Sequence, residues 1–237
     1  MMRALTKLMA RGVGATAVAL ILTSPAEGAA ILVDNANPQN IPGLANFVTD
    51  GSMMAGMSVT VYMGGVLYET AFWGSTGLTS GGVTGDKWSL SLSGDSFISS
   101  WTFINQGAGE LTRLVLDGST GLTVFDKTLP EPGTAGSESG RNFASSINND
   151  PFTATYRNSV GIGGADAVGD LYQILDVSFT GAPSGGLHQG FTFVQDSDSD
   201  LRLGNDLRLV SVPEPSTLVL FGLGLVGAAR ARRRARA

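Results

Sequence analysis

The stretch KWSLSLSGDSFISSWTFIN (residues 87–105) puts Trp88, Leu90 and Leu92 on alternate positions with serines between them. Period two with one apolar face is the pattern of a half-buried strand and does not fit a helical face. Phe97, Trp101 and Phe103 continue the strand-like character. The same alternation recurs along the chain. SVTVYM-GG-VLYETAFW (58–73) reads as a hairpin, two β-rich runs around Gly64-Gly65. LTRLVLD (111–117) and LTVFD (122–126) flank the turn-rich residues 118–121. LYQILDVSF (171–179) and GFTFVQD (190–196) supply two more strands, and LRLGNDLRLVS (201–211) a last one. Ile41 to Val48 reads as a helical turn at most. The expectation is an all-β fold: eight to ten strands in one β-sandwich or jelly-roll-like domain spanning residues 31–211. Residues 129–150 read as a long polar loop, and no internal repeat or linker splits the body.

Composition narrows the chemistry. The 237 residues include 33 glycines, no cysteine and one histidine, His188. A disulfide framework, thiolate metal sites and cysteine nucleophiles are therefore excluded. Residues 31–211 hold seven of the fifteen basic side chains and eighteen of the twenty acids, a net charge near −11. Nucleic-acid binding needs a basic footprint, so this acidic body argues against it. It suits a secreted domain or one that binds cations.

Both ends read as addresses. The start, MMRALTKLMARGVGATAVALILTSPAEGAA, has a basic head, an apolar run at 13–22 and then small residues. That is the layout of a secretory signal peptide over residues 1–30, with cleavage after Gly28 or after Ala30. The end, VPEPSTLVLFGLGLVGAARARRRARA (212–237), has an apolar run of twelve residues at 218–229. As a helix it spans about 18 Å at about 1.5 Å per residue, against a bilayer core of about 30 Å. Such a run suits transient membrane insertion, with the arginines left on the cytoplasmic side. Pro213 and Pro215 disfavour helix ahead of it. Gly222, Gly224 and Gly227 match a dinucleotide-binding pattern, but the chain stops ten residues later, with no room for the βαβ unit or the acid such a site requires.

Pro213-Glu214-Pro215, an apolar stretch and an arginine-rich end resemble the PEP-CTERM sorting signal. The resemblance implies processing by an exosortase, a membrane-embedded cysteine protease of Gram-negative bacteria. It implies export, a transient stay in the inner membrane through 218–229, and delivery to the cell surface or extracellular matrix. The body resembles a recurring PEP-CTERM architecture in MAGMSVTVYMGG…ETAFW (54–73), WSLSLSGDSFISSWTFIN (88–105), VGDLYQILDVSF (168–179) and FTFVQDSDSD (191–200). The family link implies a structural or adhesive protein associated with exopolysaccharide or biofilm. Pro130-Glu131-Pro132 is a second PEP, but no apolar run follows it, so it is not expected to act as a sorting site.

The residues point away from an enzyme. A Ser/His/Asp arrangement has only His188 as base. GDS at 94–96 is similar to the GDSL esterases, but position 185, where their aspartate would stand, is Gly185. Asp176 and Asp95 are the candidates for a sugar-cleaving pair, though solvent faces or turns explain them more simply. QDSDSD sets Asp196, Asp198 and Asp200 at alternate positions, and in a loop that spacing turns carboxylates towards one hard cation, with Ca²⁺ the candidate cofactor. It is not an EF-hand, since positions six and twelve are Leu201 and Leu207. Carbohydrate binding is the alternative function, through Trp73, Trp88, Trp101, Tyr62 or Tyr68, although core positions are the commoner use of aromatics in such strands. A secreted hydrolase is the remaining alternative.

Overall fold

The computed structural model describes residues 29–200, apart from 129–132, 135–136, 138, 148–151, 180–186 and 188–189. The signal peptide expected at 1–30 (all but its last two residues), the strand expected at 201–211, the Pro213-Glu214-Pro215 motif, the apolar run 218–229 and His188 lie outside the described residues. In chain order the strands begin with β1 (Ala30–Asp34), β2 (Gln39–Ile41) and β3 (Leu44–Asn46). A 3-10 turn at Gly51–Met54 leads to β4 (Ser58–Met63), β5 (Val66–Phe72), β6 (Gly74–Ser75), β7 (Ser80–Gly85), β8 (Trp88–Ser93) and β9 (Trp101–Asn105). Then come β10 (Leu111–Asp117), a second 3-10 turn at Gly118–Gly121, β11 (Thr123–Asp126) and β12 (Ala144–Ser145). The last are β13 (Thr153–Ile162), β14 (Leu171–Ser178), β15 (Phe191–Val194) and β16 (Asp196–Asp200).

These strands form two sheets, one of ten strands and one of six, and the fold is all-β. In the larger sheet β14 is the hub. One edge carries β13, to which β1 and β2 add in parallel. The other carries both β10 and β11. From β10 the sheet continues to β4 and β5; from β11 it continues to β16 and β3. The smaller sheet runs β12-β15-β9-β8-β7-β6, antiparallel throughout. Among the described residues no helix is long and apolar enough to cross a membrane.

Alternation decides what each sheet buries. Val59, Val61, Leu114, Leu116, Leu175 and Val177 of the larger sheet share one core with Trp88, Leu90, Trp101, Phe103, Phe191 and Phe193 of the smaller. Full burial of each such side chain contributes roughly 1.5–3 kcal/mol. Every buried indole also has an acceptor, as an interior N–H requires. Trp73 donates to the Gly51 carbonyl, Trp88 to Glu69 Oε2 and Trp101 to the Gln195 carbonyl. A second cluster (Ile41, Val124, Val160, Leu171) lies on the far face of the larger sheet. Val124 and Leu171 alternate with Phe125 and Tyr172, which point into the main core.

The hairpin at 58–73 forms as its pattern reads, turning at Gly64 and Gly65 with φ of +57° and +82°, which glycine adopts at no steric cost. Three expectations need correction. Residues 41–48 hold no helical turn: Ile41 ends β2 and Leu44–Asn46 is a strand, because β16 offers it a ladder. The expected eight to ten strands become sixteen among the described residues alone, because weakly patterned runs such as β7 and β13 also pair. QDSDSD is not a loop: residues 196–200 form β16, buried along its whole length.

Candidate metal centre

Asp126 closes β11 and Asp196 opens β16. The antiparallel ladder sets Asp126 opposite Asp196 and Val124 opposite Asp198. Directly paired residues project to one face, as do residues two apart along a strand. Register alone therefore gathers three carboxylates on the Val124 side of the sheet. One oxygen from each lies within 4.8 Å of the others. Asp126, Asp196 and Asp198 are only 1%, 4% and 2% exposed. Asp200 is buried too but stands outside this group of three.

The intervening serines explain how an Asp-Ser repeat can be buried on both faces. Ser199 Oγ meets Thr49 Oγ1 at 3.1 Å, and Ser197 Oγ donates to Met54 Sδ at 3.9 Å. Ser96 Oγ donates to Asp196 Oδ1 at 3.1 Å, and the Ser197 N–H donates to the same oxygen at 2.8 Å. On the carboxylate side, Ser137 Oγ donates to Asp126 Oδ2 at 3.0 Å. Gly140 lies against the same side chain; a Cβ there would fall 2.0 Å from Asp126 Oδ1, so only glycine fits.

Gln195 anchors the strand. It is the one residue between β15 of the smaller sheet and β16 of the larger, so the chain changes sheets across it. Its Nε2 donates to the carbonyls of Asp126 at 3.0 Å and Asp196 at 2.7 Å. Its Oε1 accepts from Tyr156 Oη, which itself accepts from the Phe143 N–H at 2.7 Å.

Burial pushes the Asp126 carboxyl up to about 8, with the charges of Asp196 and Asp170 adding to the rise and the Ser137 hydrogen bond opposing it. Burial likewise pushes Asp196 up to about 7, aided by Asp95 and opposed by its hydrogen bonds from Ser96 and Ser197 and by the Arg141 charge. Such a cluster favours either protons or a cation.

Asp176 is not on a solvent face, as the sequence led us to expect. It accepts two hydrogen bonds from Arg113, at 2.7 and 2.6 Å, and pairs with Arg157 at 3.0 Å. Asp95 does sit in a turn, accepting from the Phe97 N–H. Trp73, Trp88 and Trp101 are 0–2% exposed and cannot stack on a sugar. Tyr68 is exposed and donates to Asp86, while Arg113 covers the Tyr62 ring at 5.0 Å. Asp126 escaped the sequence reading as a site residue. Its only signal was the end of LTVFD, and nothing linear aligns it with a residue seventy positions on.

Residues 211–234 match the family model of the PEP-CTERM protein-sorting motif. This motif marks the chain as an exosortase-directed, exported protein sorted through the membrane to the cell surface. No curated protein and no solved structure matches the chain.

Proposed function

We propose that this is a non-catalytic structural or adhesive protein of the cell surface or extracellular matrix. The leader exports it, the segment 218–229 holds it briefly in the inner membrane, and exosortase cuts at or near Pro213-Glu214-Pro215. The freed body works as a two-sheet β-sandwich among exopolysaccharide. The observation that carries this reading is the sorting motif at 211–234, directly behind the all-β body. A core drawn from both sheets supports the sandwich. The terminal strand β5 supports the adhesive role, since it leaves Val66, Leu67 and Phe72 59–69% exposed at the end of the larger sheet.

Cell fractionation tests the reading. The unaltered chain should reach the cell surface or medium, and a chain with Pro213, Glu214 and Pro215 all changed to alanine should stay in the inner membrane. Surface delivery of both would overturn it.

One observation favours a carbohydrate-binding module instead. A groove of about 490 Å³ is lined by Tyr62, Glu110, Thr112, Arg113 and Ser178, with the two turn glycines. A ring edge, a guanidinium and hydroxyls are the chemistry that grips sugars. Polysaccharide retention lost in Tyr62→Ala would select this reading over the purely structural one.

A further inference from the structure

We propose that Asp126, Asp196 and Asp198 form a site for one Ca²⁺ ion, which pins β16, the last strand of the described residues, to β11. The cluster itself is a product of register, three carboxylates on one face with oxygens within 4.8 Å. A second, separate observation points to a ligand. Asp126 Oδ1 is fully buried and has no hydrogen-bond donor among the described residues, in a residue only 1% exposed. A buried carboxylate oxygen without a partner is costly, and interiors resolve that cost by taking up a proton, by pairing the charge or by coordinating a metal.

For Asp126 and Asp196, pairing among the described residues is partial. Arg141 is the cation that acts on Asp196, yet its Nη1 donates to the Phe97 carbonyl at 2.7 Å. Ser137 supplies Asp126 with one hydrogen bond, on the other oxygen. The donor set is oxygen only, which selects hard cations over Zn²⁺ or Cu²⁺. Between the hard ions, burial favours Ca²⁺. Mg²⁺ retains several waters in strict octahedral geometry, whereas Ca²⁺ accepts an irregular shell of protein oxygens. The inference does not depend on the surface role, since cation binding is read on purified protein and sorting is read in cells.

The test uses the full chain, stripped with EDTA and returned to chelator-free buffer. Tb³⁺ replaces Ca²⁺ as a luminescent probe. Trp101 is the antenna, its indole N–H on the Gln195 carbonyl next to Asp196. The expected result is sensitised emission that saturates at one ion per chain, displaced by Ca²⁺ and not by equal Mg²⁺. The melting temperature should rise by about 4 °C in about 5 mM Ca²⁺, as for a ligand at several times its dissociation constant. Asp126→Asn and Asp198→Asn should each weaken Tb³⁺ binding about tenfold or more, while exposed Asp166→Asn changes nothing. If either variant fails to fold, the titration of the unaltered chain still decides. Absent emission, equal melting in Ca²⁺ and EDTA, or full binding by a folded Asp126→Asn would overturn the site. Displacement by Mg²⁺ as readily as by Ca²⁺ would overturn the choice of ion.

Discussion

Asp126 faces Asp196 directly across the β11–β16 ladder, carboxylate beside carboxylate, and neither is more than 4% exposed. Like charges opposed on one face destabilise a sheet. Their position beside Asp198 therefore makes the protonation and ion content of this corner a determinant of stability.

The first prediction concerns pH. Unfolded aspartates ionise near pH 4, whereas folded Asp126 holds its proton to about 8 and Asp196 to about 7. Across that window the folded state binds more protons, so stability is greatest at its lower end and is lost as pH rises through about 7 and about 8. In chelator, the urea midpoint should fall between about pH 5 and pH 8.5, and Asp126→Asn should flatten the fall. A midpoint that climbs over this range would contradict the assignment.

Gln195→Leu should cost about 2–4 kcal/mol. It removes the amide that binds Tyr156 and the carbonyls of Asp126 and Asp196 where the chain changes sheets. Urea unfolding measures the loss, and a change under about 0.5 kcal/mol would show that the crossing does not need it.

Asp176→Ala should destabilise by about 1–3 kcal/mol, because Arg113 and Arg157 lose a shared, nearly buried partner. Both arginines are about one-third exposed, so water softens the loss. A neutral effect in thermal melts would mean that solvent replaces the pair fully.

These sites mark the limit of what sequence displays. The hairpin at 58–73 and the Trp88–Ser93 strand were legible because each carries its own pattern: apolar alternation, and in the hairpin two turn glycines. The whole of β13 was not, because TATYRNSVGI interleaves polar and small residues and becomes a strand through its neighbours β1 and β14. QDSDSD reads as a solvated loop until Thr123–Asp126 is set against it. Asp196 and Asp198 could be picked from spacing; Asp126 could not, since its place depends on a pairing across the length of the body. The three tryptophan candidates are excluded for a similar reason. Alternation identifies a buried face without saying that each Trp N–H will find an internal acceptor there.

The strand β1 constrains where the proposed signal peptide is cut. Ala30 already belongs to this strand, its N–H donating to the Phe152 carbonyl at 3.0 Å and its Cα paired with Thr153. Cleavage after Gly28 leaves β1 whole, whereas cleavage after Ala30 removes its first residue. N-terminal sequencing of the mature protein should begin at Ala29; a start at Ile31 would show that the strand tolerates the loss.

Removal of the tail as a sorting signal is read from the intact mass of the mature protein from an exosortase-competent host and a matched exosortase-deficient one. The mass beyond Pro213-Glu214-Pro215 should be missing in the competent host alone. A full-length C-terminus in both would contradict it and make residues 218–229 a retained anchor.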